Sequence, residues 1–580
     1  MTKYKYNFSW RTAPRSIQVL LKWLPYFYDV QGKSWTASIN GFHPLRRELR
    51  WKFENDSEEP NEGVLGVPYE EFIVGKQNNK KDLESLVRQQ FTTAEQFGFL
   101  SSIKNSDTNE QILYISEAGR RIVESTFTPE DFLIQLLKMF IIVNNGEEGI
   151  FPFEIFIKLL KKFDYLSRYE LTFMFGVTTP SKFVKAVEAI DKFRKKYNDR
   201  NIIPNKLDNK KVEKLLKNVW EESFGKGTFL ISWSDYTDAF LRAVIYTNMF
   251  YTSGRGAHTK VRVSDNSIKK FDLLIHKFIF KKPTTDGKVQ SRDDIYWFGA
   301  VGNIPLPWDN LEDRKNLVKS TFEKYKDIFQ KFEEPEESIE ISEINEKISS
   351  TRNIAVLKDI ENDLHKKILQ ANINEYARSL SKTTEERKNI LDRFDAILND
   401  NDMSALWLEV NTWKSLVSLE GDKEVIPNFT MEADLTPRAF APGIGNTPDM
   451  EVHTREYIIV PEVSLMTGKV QWEHEGSSVI DHVTSISNKY PDKDVIGLFI
   501  SSSINYRTFW QFFVLSKSSW LGKPIPVIPL TIHQYINLIS NSFDNNKSID
   551  DLYQQLKNNV AKAQEIERYS EWKEWILDNF

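Results

Sequence analysis

Apolar residues fall at Leu83, Leu86, Val87, Ala94 and Phe97, close to the spacing that lines one face of a helix. Gly98 supplies its stop. The next stretch, FLSSIKNSDTNEQILYIS, sets two short apolar runs around a polar turn and predicts a hairpin. Ser116 is then placed to cap a helix over SEAGRRIVES. Helix, two-stranded wing and closing helix are the outline of a winged helix. The outline recurs. Phe240, Leu241, Val244, Ile245 and Met249 form another helical stripe, leading into FYTSGRGAHTKVRVS, where SGRG turns between two short strands. Ser264 is expected to cap DNSIKKFDLLIHKF. No fixed-period repeat joins the two, so they read as related modules over residues 1–130 and 131–283.

The texture changes after residue 283. TTDGKVQSRDD is turn-rich, and Leu311 to about Lys388 is charged and helix-like, broken by EEPEES near Pro335. Residues 284–390 are therefore expected to be a mostly helical linker, with a small helical domain as the alternative. From Ala396 apolar content rises again. A helix over ALWLEVNTWKSLVSL precedes a hairpin, a helix over VQWEHEGSSVIDHVTSIS, a strand DVIGLFIS, then PIPVIPL and a helix over TIHQYINLIS. That order predicts an α/β sheet domain over residues 391–580.

A chain of 580 residues suits several domains. It holds no cysteine, which excludes disulfides and thiolate metal sites and points to a reducing cytosol. Its eight histidines show no zinc spacing, so any metal is expected to be a hard cation held by oxygen. The start, MTKYKYNFSWRTAPRS, has no apolar core of a secretory signal. The longest apolar run, FLIQLLKMFIIV, is too short to span a bilayer, so no membrane partner is expected. The net charge of -5 hides an asymmetry: residues 1–280 carry 42 Lys and Arg against 34 Asp and Glu, and the remainder 35 against 48. A basic front half and an acidic back half suit a binding module joined to a metal-binding one; chance variation along a long chain gives the same difference.

The candidate chemistry lies in PDMEVHTREYIIVPEVS. Asp449 opens one strand and Glu462 lies near the end of the next, where a hairpin brings them together. Phosphodiester hydrolysis needs an activated water and stabilisation of a highly charged transition state, which one or two Mg²⁺ ions provide when carboxylates hold them at the scissile phosphate. Metal-dependent nucleases often follow Pro-Asp with an acid-x-Lys; here Ser464 stands at the lysine position. Pro461 cannot donate to a ladder and predicts a bulge or an edge. On the following helix Gln471, Glu475, Ser478 and His482 share one face, while Trp472, Val479, Val483 and Ile486 are expected to pack on the sheet. An ordinary hairpin with acids at both ends, followed by a solvated helix face, remains the alternative.

The stretch PRAFAPGIGNTPDMEV, with PEVSLMTGKVQWEHEGSSVIDHV after it, resembles the catalytic core of the AlwI-like type IIS restriction endonucleases, a group that strand-specific nicking enzymes also resemble. The similar features are Ala-Pro-Gly-x-Gly-Asn-Thr-x-Asp leading to Asp449, the Glu-Val-Ser-Leu turn at Glu462, and Gln-Trp-Glu-x-Glu-Gly running on to His482. The resemblance implies a mixed α/β multidomain protein: mainly helical winged-helix DNA-recognition modules and a C-terminal restriction-endonuclease-like domain of the PD-(D/E)xK type. It implies metal ligation by Asp449, Glu462 and Glu475, and catalytic roles also for His482, Glu409 and Gln471, the last orienting the attacking water with Glu475 and His482 where others use lysine. Lys469 is the rival for that task. It further implies Mg²⁺, double-stranded DNA as substrate, a transient homodimer or a small nuclease subunit, a cognate DNA methyltransferase, and the bacterial cytoplasm. Cleavage a fixed distance outside a short asymmetric site is the expected activity; strand-specific nicking and a non-catalytic DNA-binding regulator are the alternatives. Candidate DNA contacts are Arg11, Arg15, Arg46, Arg47, Arg50, Arg255, Lys260 and Arg262.

Overall fold

The computed structural model describes the chain from Tyr4 to Phe580 except residues 16, 39–42, 57–68, 70–82, 199–205, 254–258, 284–291, 330–336, 400–403, 421–423, 430, 433, 438–446, 469–470 and 518–522. It is a mixed α/β protein, rich in helix, that separates into two compact units near residue 317.

In the first unit the expected helix runs as α1 (Leu83–Gln96). Gly98 ends the turn after it with φ +74, a conformation that favours glycine. Strands β1 (Leu100–Lys104) and β2 (Gln111–Ile115) pair antiparallel. Ser116 caps α2 (Glu117–Val123), its hydroxyl oxygen accepting from the Gly119 N–H at 3.0 Å, as expected. Further along come α3 (Pro152–Phe163), β3 (Leu166–Ser167), α4 (Phe183–Asn198), α5 (Trp233–Ile245), β4 (Phe250–Ser253), β5 (Lys260–Val263) and α6 (Ile268–Lys277). Two features depart from expectation. The second hairpin recruits β3, giving a three-stranded order β3-β5-β4. Ser264 does not cap with its side chain; its hydroxyl donates to the Met249 carbonyl at 3.3 Å, and a 3₁₀ turn precedes α6. Both outlines share one hydrophobic core, with Trp10 packed against Phe97 and Phe240. The first part of the expected linker belongs here as well. Buried Lys138 donates to the carbonyls of Phe298 (2.7 Å) and Ala300 (2.6 Å), satisfying the end of the Arg292–Gly299 helix.

In the second unit the helices Glu337–Ser350, Ile354–Arg378 and Thr384–Asn399 precede α7 (Ser404–Leu419). A five-stranded sheet follows, made of β6 (Glu424–Pro427), β7 (Met450–His453), β8 (Tyr457–Ser464), β9 (Asp494–Ser501) and β10 (Val527–Thr531), in spatial order β10-β9-β8-β7-β6. The first three strands pair antiparallel; β8, β9 and β10 are parallel. Parallel neighbours need crossovers, supplied by α8 (Gly476–Lys489) and α9 (Tyr506–Lys517). Val479, Val483 and Ile486 of α8 are buried as their spacing predicts. Trp472 is not: it lies half-buried under the Arg507 guanidinium, 4.9 Å from the ring centroid. Gly497 on β9 marks where α8 comes closest, since a Cβ there would stand 2.8 Å from a Val483 methyl. Gly497 is the register partner of Val460, and alternation puts both on the face that carries Glu462, so α8 roofs that face. Trp413 of α7 is fully buried and donates to the Val425 carbonyl at 3.0 Å. Tyr535, on α10 (Ile532–Asp544), meets the Ser415 hydroxyl at 2.8 Å.

Candidate active site

The β7–β8 register pairs Val452 with Ile459 and His453 with Ile458. Continued by three residues, it sets Asp449 opposite Glu462. Pro461 shapes what happens there. Tyr457 and Val463 turn their backbone N–H groups toward the β7 side, and period-two alternation does the same for position 461, where proline has no N–H to give. Pairing with β7 lapses before Pro461, while pairing with β9 continues unbroken to Ser464. The proline therefore sits on an interior strand, not the edge its residue type suggested. The next donor, the Val463 N–H, is taken by the Asp449 carboxylate at 2.8 Å.

Other acids converge on this pair. Glu462 is 6% exposed and its Oε1 lies 2.5 Å from His482 Nδ1 on α8. Glu475, at the junction of a π turn (Gln471–Glu475) and α8, is close enough for its charge to act on Asp449, Glu462 and His482. Glu409 of α7 interacts with Asp449 and with Glu462. Loss of hydration raises the Asp449 carboxyl well above the ordinary range, and the Glu462 charge adds to it. Burial likewise pushes Glu462 up to about 8, with Glu475 and Glu409 adding to the rise. Glu409 also reaches about 8, from desolvation first and the Asp449 charge second. Burial lowers His482 against the opposing pull of the surrounding carboxylates. Among the described residues these carboxyls crowd around a single histidine, an electrostatic deficit that a divalent cation would fill. Carboxylate oxygens are the donors a hard cation takes. Among the described residues no three acidic or histidine side chains are already gathered at ligating distance from one point.

Gln471 departs from expectation. It is fully buried, its amide donates to Met466 O (2.9 Å), Ser501 Oγ (2.9 Å) and Ser503 O (2.7 Å), and its carbonyl accepts from Asn505 N–H (2.7 Å). Its amide is engaged by the loops beside β8 and β9, and none of these hydrogen bonds goes to the acids. The π turn accounts for the difference, because i→i+5 bonding rotates Gln471 off the face that a 3.6-residue period gives it. Ser464, at the lysine position, is buried and accepts from the Met466 N–H at 3.0 Å. Lys469 lies outside the described residues. A neighbouring pair went unnoticed in the sequence: His453 Nε2 stands 2.6 Å from Glu451 Oε2, and Asn428 donates to the other oxygen at 3.0 Å. The D-x-E-x-H spacing from Asp449 to His453 was its signal, since period two puts all three on one strand face.

Of the candidate DNA contacts, Arg47 and Arg50 are buried, Arg47 against Glu84 at 3.0 Å, and Arg46 lies 4.6 Å from the Trp35 ring centroid. Packing accounts for these three. Arg15 is exposed and pairs with Asp235 at 2.7 Å; Arg11 is exposed. Lys260 and Arg262 lie on β5, and Arg255 falls outside the described residues. Among the described residues no helix is long and apolar enough to cross a membrane.

Comparison with known proteins supplies the class: a restriction endonuclease, a nuclease that acts on DNA. The AlwI restriction endonuclease family model matches residues 95–538, well over half of the chain, and the chain belongs to that family. Restriction endonucleases of this family generally use a divalent metal. Among solved structures the chain is similar to the small subunit (R.BspD6I2) of the heterodimeric restriction endonuclease R.BspD6I, with 23% identity, 33% of this chain and 99% of that chain covered, and a TM-score of 0.29. No curated protein matches.

Proposed function

We propose that the protein is a type IIS restriction endonuclease, which binds a short asymmetric duplex sequence through the first unit and hydrolyses phosphodiester bonds at a fixed distance outside it with Mg²⁺. The observation that carries this reading is Asp449 facing Glu462 across the lapsed end of the β7–β8 ladder, with Glu475, Glu409 and His482 around them. Asp449, Glu462 and Glu475 are the residues that would hold the cation. Bound there, it would supply Lewis-acid stabilisation of the phosphoryl oxygens and a more acidic water. The protein's own part is positional. Glu462 accepts the Nδ1 proton of His482, leaving Nε2 unprotonated and able to take a proton from the attacking water. Burial favours the neutral imidazole that this role requires. The two helix–hairpin–helix outlines in the first unit are read as winged-helix-like recognition elements.

The test is incubation of supercoiled plasmid with the protein and MgCl2, followed by sequencing of the ends. Cuts at one offset from a common short sequence support the reading; intact plasmid with every divalent metal overturns it. Strand-specific nicking is the second reading, favoured because the described residues hold one such acid cluster, which cuts one strand at a time. Open circles that persist at high protein concentration would select it.

A further inference from the structure

The register of the three-stranded sheet pairs Leu166 with Val261 and Ser167 with Lys260, which brings Tyr165 opposite Arg262. On one side of this sheet three cations gather at a single ring. Arg194 of α4 stands 4.3 Å from the Tyr165 centroid, Lys260 4.9 Å and Arg262 5.3 Å. Phe163, at the end of α3, extends the platform, with Arg194 at 4.9 Å and Lys162 at 5.9 Å. The cations differ in what balances them. Arg194 is locked by Glu170 at 2.5 Å and by the Tyr165 carbonyl at 2.7 Å. Lys260 is exposed, Arg262 is half-buried, and among the described residues neither forms an ion pair. The exposed carboxylate on the turn between the two rings is Asp164, which leaves the patch with an excess of positive charge. Cation–π contacts hold the cations over the rings, but like charges brought together repel until an anion arrives. Lys260 and Arg262 are two residues apart on a strand, about 7 Å, close to the separation of neighbouring phosphates along one nucleic-acid strand.

We propose that this Tyr165-centred patch is a docking surface for the phosphodiester backbone of duplex DNA, fixing the duplex in place without reading its bases. The inference rests on DNA being the substrate, as argued above. The two ideas fail differently. The experiment measures binding of the full chain to a fluorescein-labelled random-sequence 30-base-pair duplex in EDTA, from 50 to 200 mM KCl. Each phosphate contact contributes about −0.9 to the slope of log affinity against log salt. For Lys260→Ala/Arg262→Ala the slope is expected to be shallower by about 1.8, so its deficit against wild type shrinks about 12-fold across that range. A charge-matched control, Lys5→Ala/Lys226→Ala, is expected to keep the wild-type slope. Should the double variant not fold, Lys260→Glu at its exposed position is expected to flatten the slope by about 0.9 or more. Wild-type binding with variant and control slopes alike would overturn the patch and leave the nuclease reading standing. Cleavage at new sequences with an unchanged slope would also overturn it, in favour of base reading. A wild type that binds no duplex would overturn both.

Discussion

Replacing Glu462 by Gln isolates the electrostatic cost of the acid cluster, because the amide oxygen can still accept from His482 Nδ1 while the charge is gone. Burial and the neighbouring acids hold the Glu462 carboxyl at about 8, against 4.5 for an unhindered glutamic acid. Between those values the native state binds a proton that the unfolded chain has released. Stability therefore falls as pH rises through the window from about 4.5 to about 8 and stays low above it. At about 1.4 kcal/mol per pK unit, the charged carboxylate costs the metal-free protein up to about 5 kcal/mol at pH 8.5. Its neighbours share that penalty, so Glu462→Gln is expected to recover about 2–5 kcal/mol, or roughly 5–15 °C in the melting of the second unit. Differential scanning calorimetry in EDTA at half-unit steps from pH 5 to pH 9 measures it. The curves should lie closest near pH 5 and separate steadily up to about pH 8, with the variant the more stable, and MgCl2 should narrow the gap. Parallel pH profiles in EDTA would refute the idea that uncompensated carboxylates crowd this site.

Asp449→Ala is expected to lower plasmid cleavage by about 10³-fold or more while leaving duplex binding in EDTA near wild type; cleavage at wild-type speed would remove Asp449 from the site. His482→Ala should cost about 10²–10⁴-fold in single-turnover rate, the range for a lost general base, with Lys469→Ala largely unaffected, and the reverse ranking would assign the task to the lysine. Gln471→Ala should act on stability, by about 2–4 kcal/mol in urea denaturation, because it strands several buried partners. A variant that is fully stable yet inactive would return Gln471 to the chemistry.

The elements with a clean period were legible in the sequence: α1, the β1–β2 hairpin, the Ser116 cap, and the run from β8 through α8, β9 and α10. The pair Asp449 and Glu462 was legible because hairpin geometry alone sets the two residues opposite each other. Period reasoning failed where the backbone left the standard helix, at the π turn that removes Gln471 from the acids and leaves Trp472 beneath Arg507. Charge reasoning failed where long-range packing decides the outcome. HPLRRELR looks like an exposed basic helix, yet Arg47 and Arg50 face inward. Arg194 had no local signal, since only the pairing of β3 with β5, more than 90 residues apart, brings Tyr165 to Lys260 and Arg262.

The proline at 461 ties the chemistry to the backbone. A residue with an N–H at that position would have a donor facing β7, and extending the ladder would draw the two strands together where Asp449 now latches onto Val463. The carboxylate would lose its backbone anchor and swing. The separation of the acids is thus set by an unzipped rung, and Pro461→Val, a conservative change in a buried strand, would retune the spacing on which the proposed cation site depends.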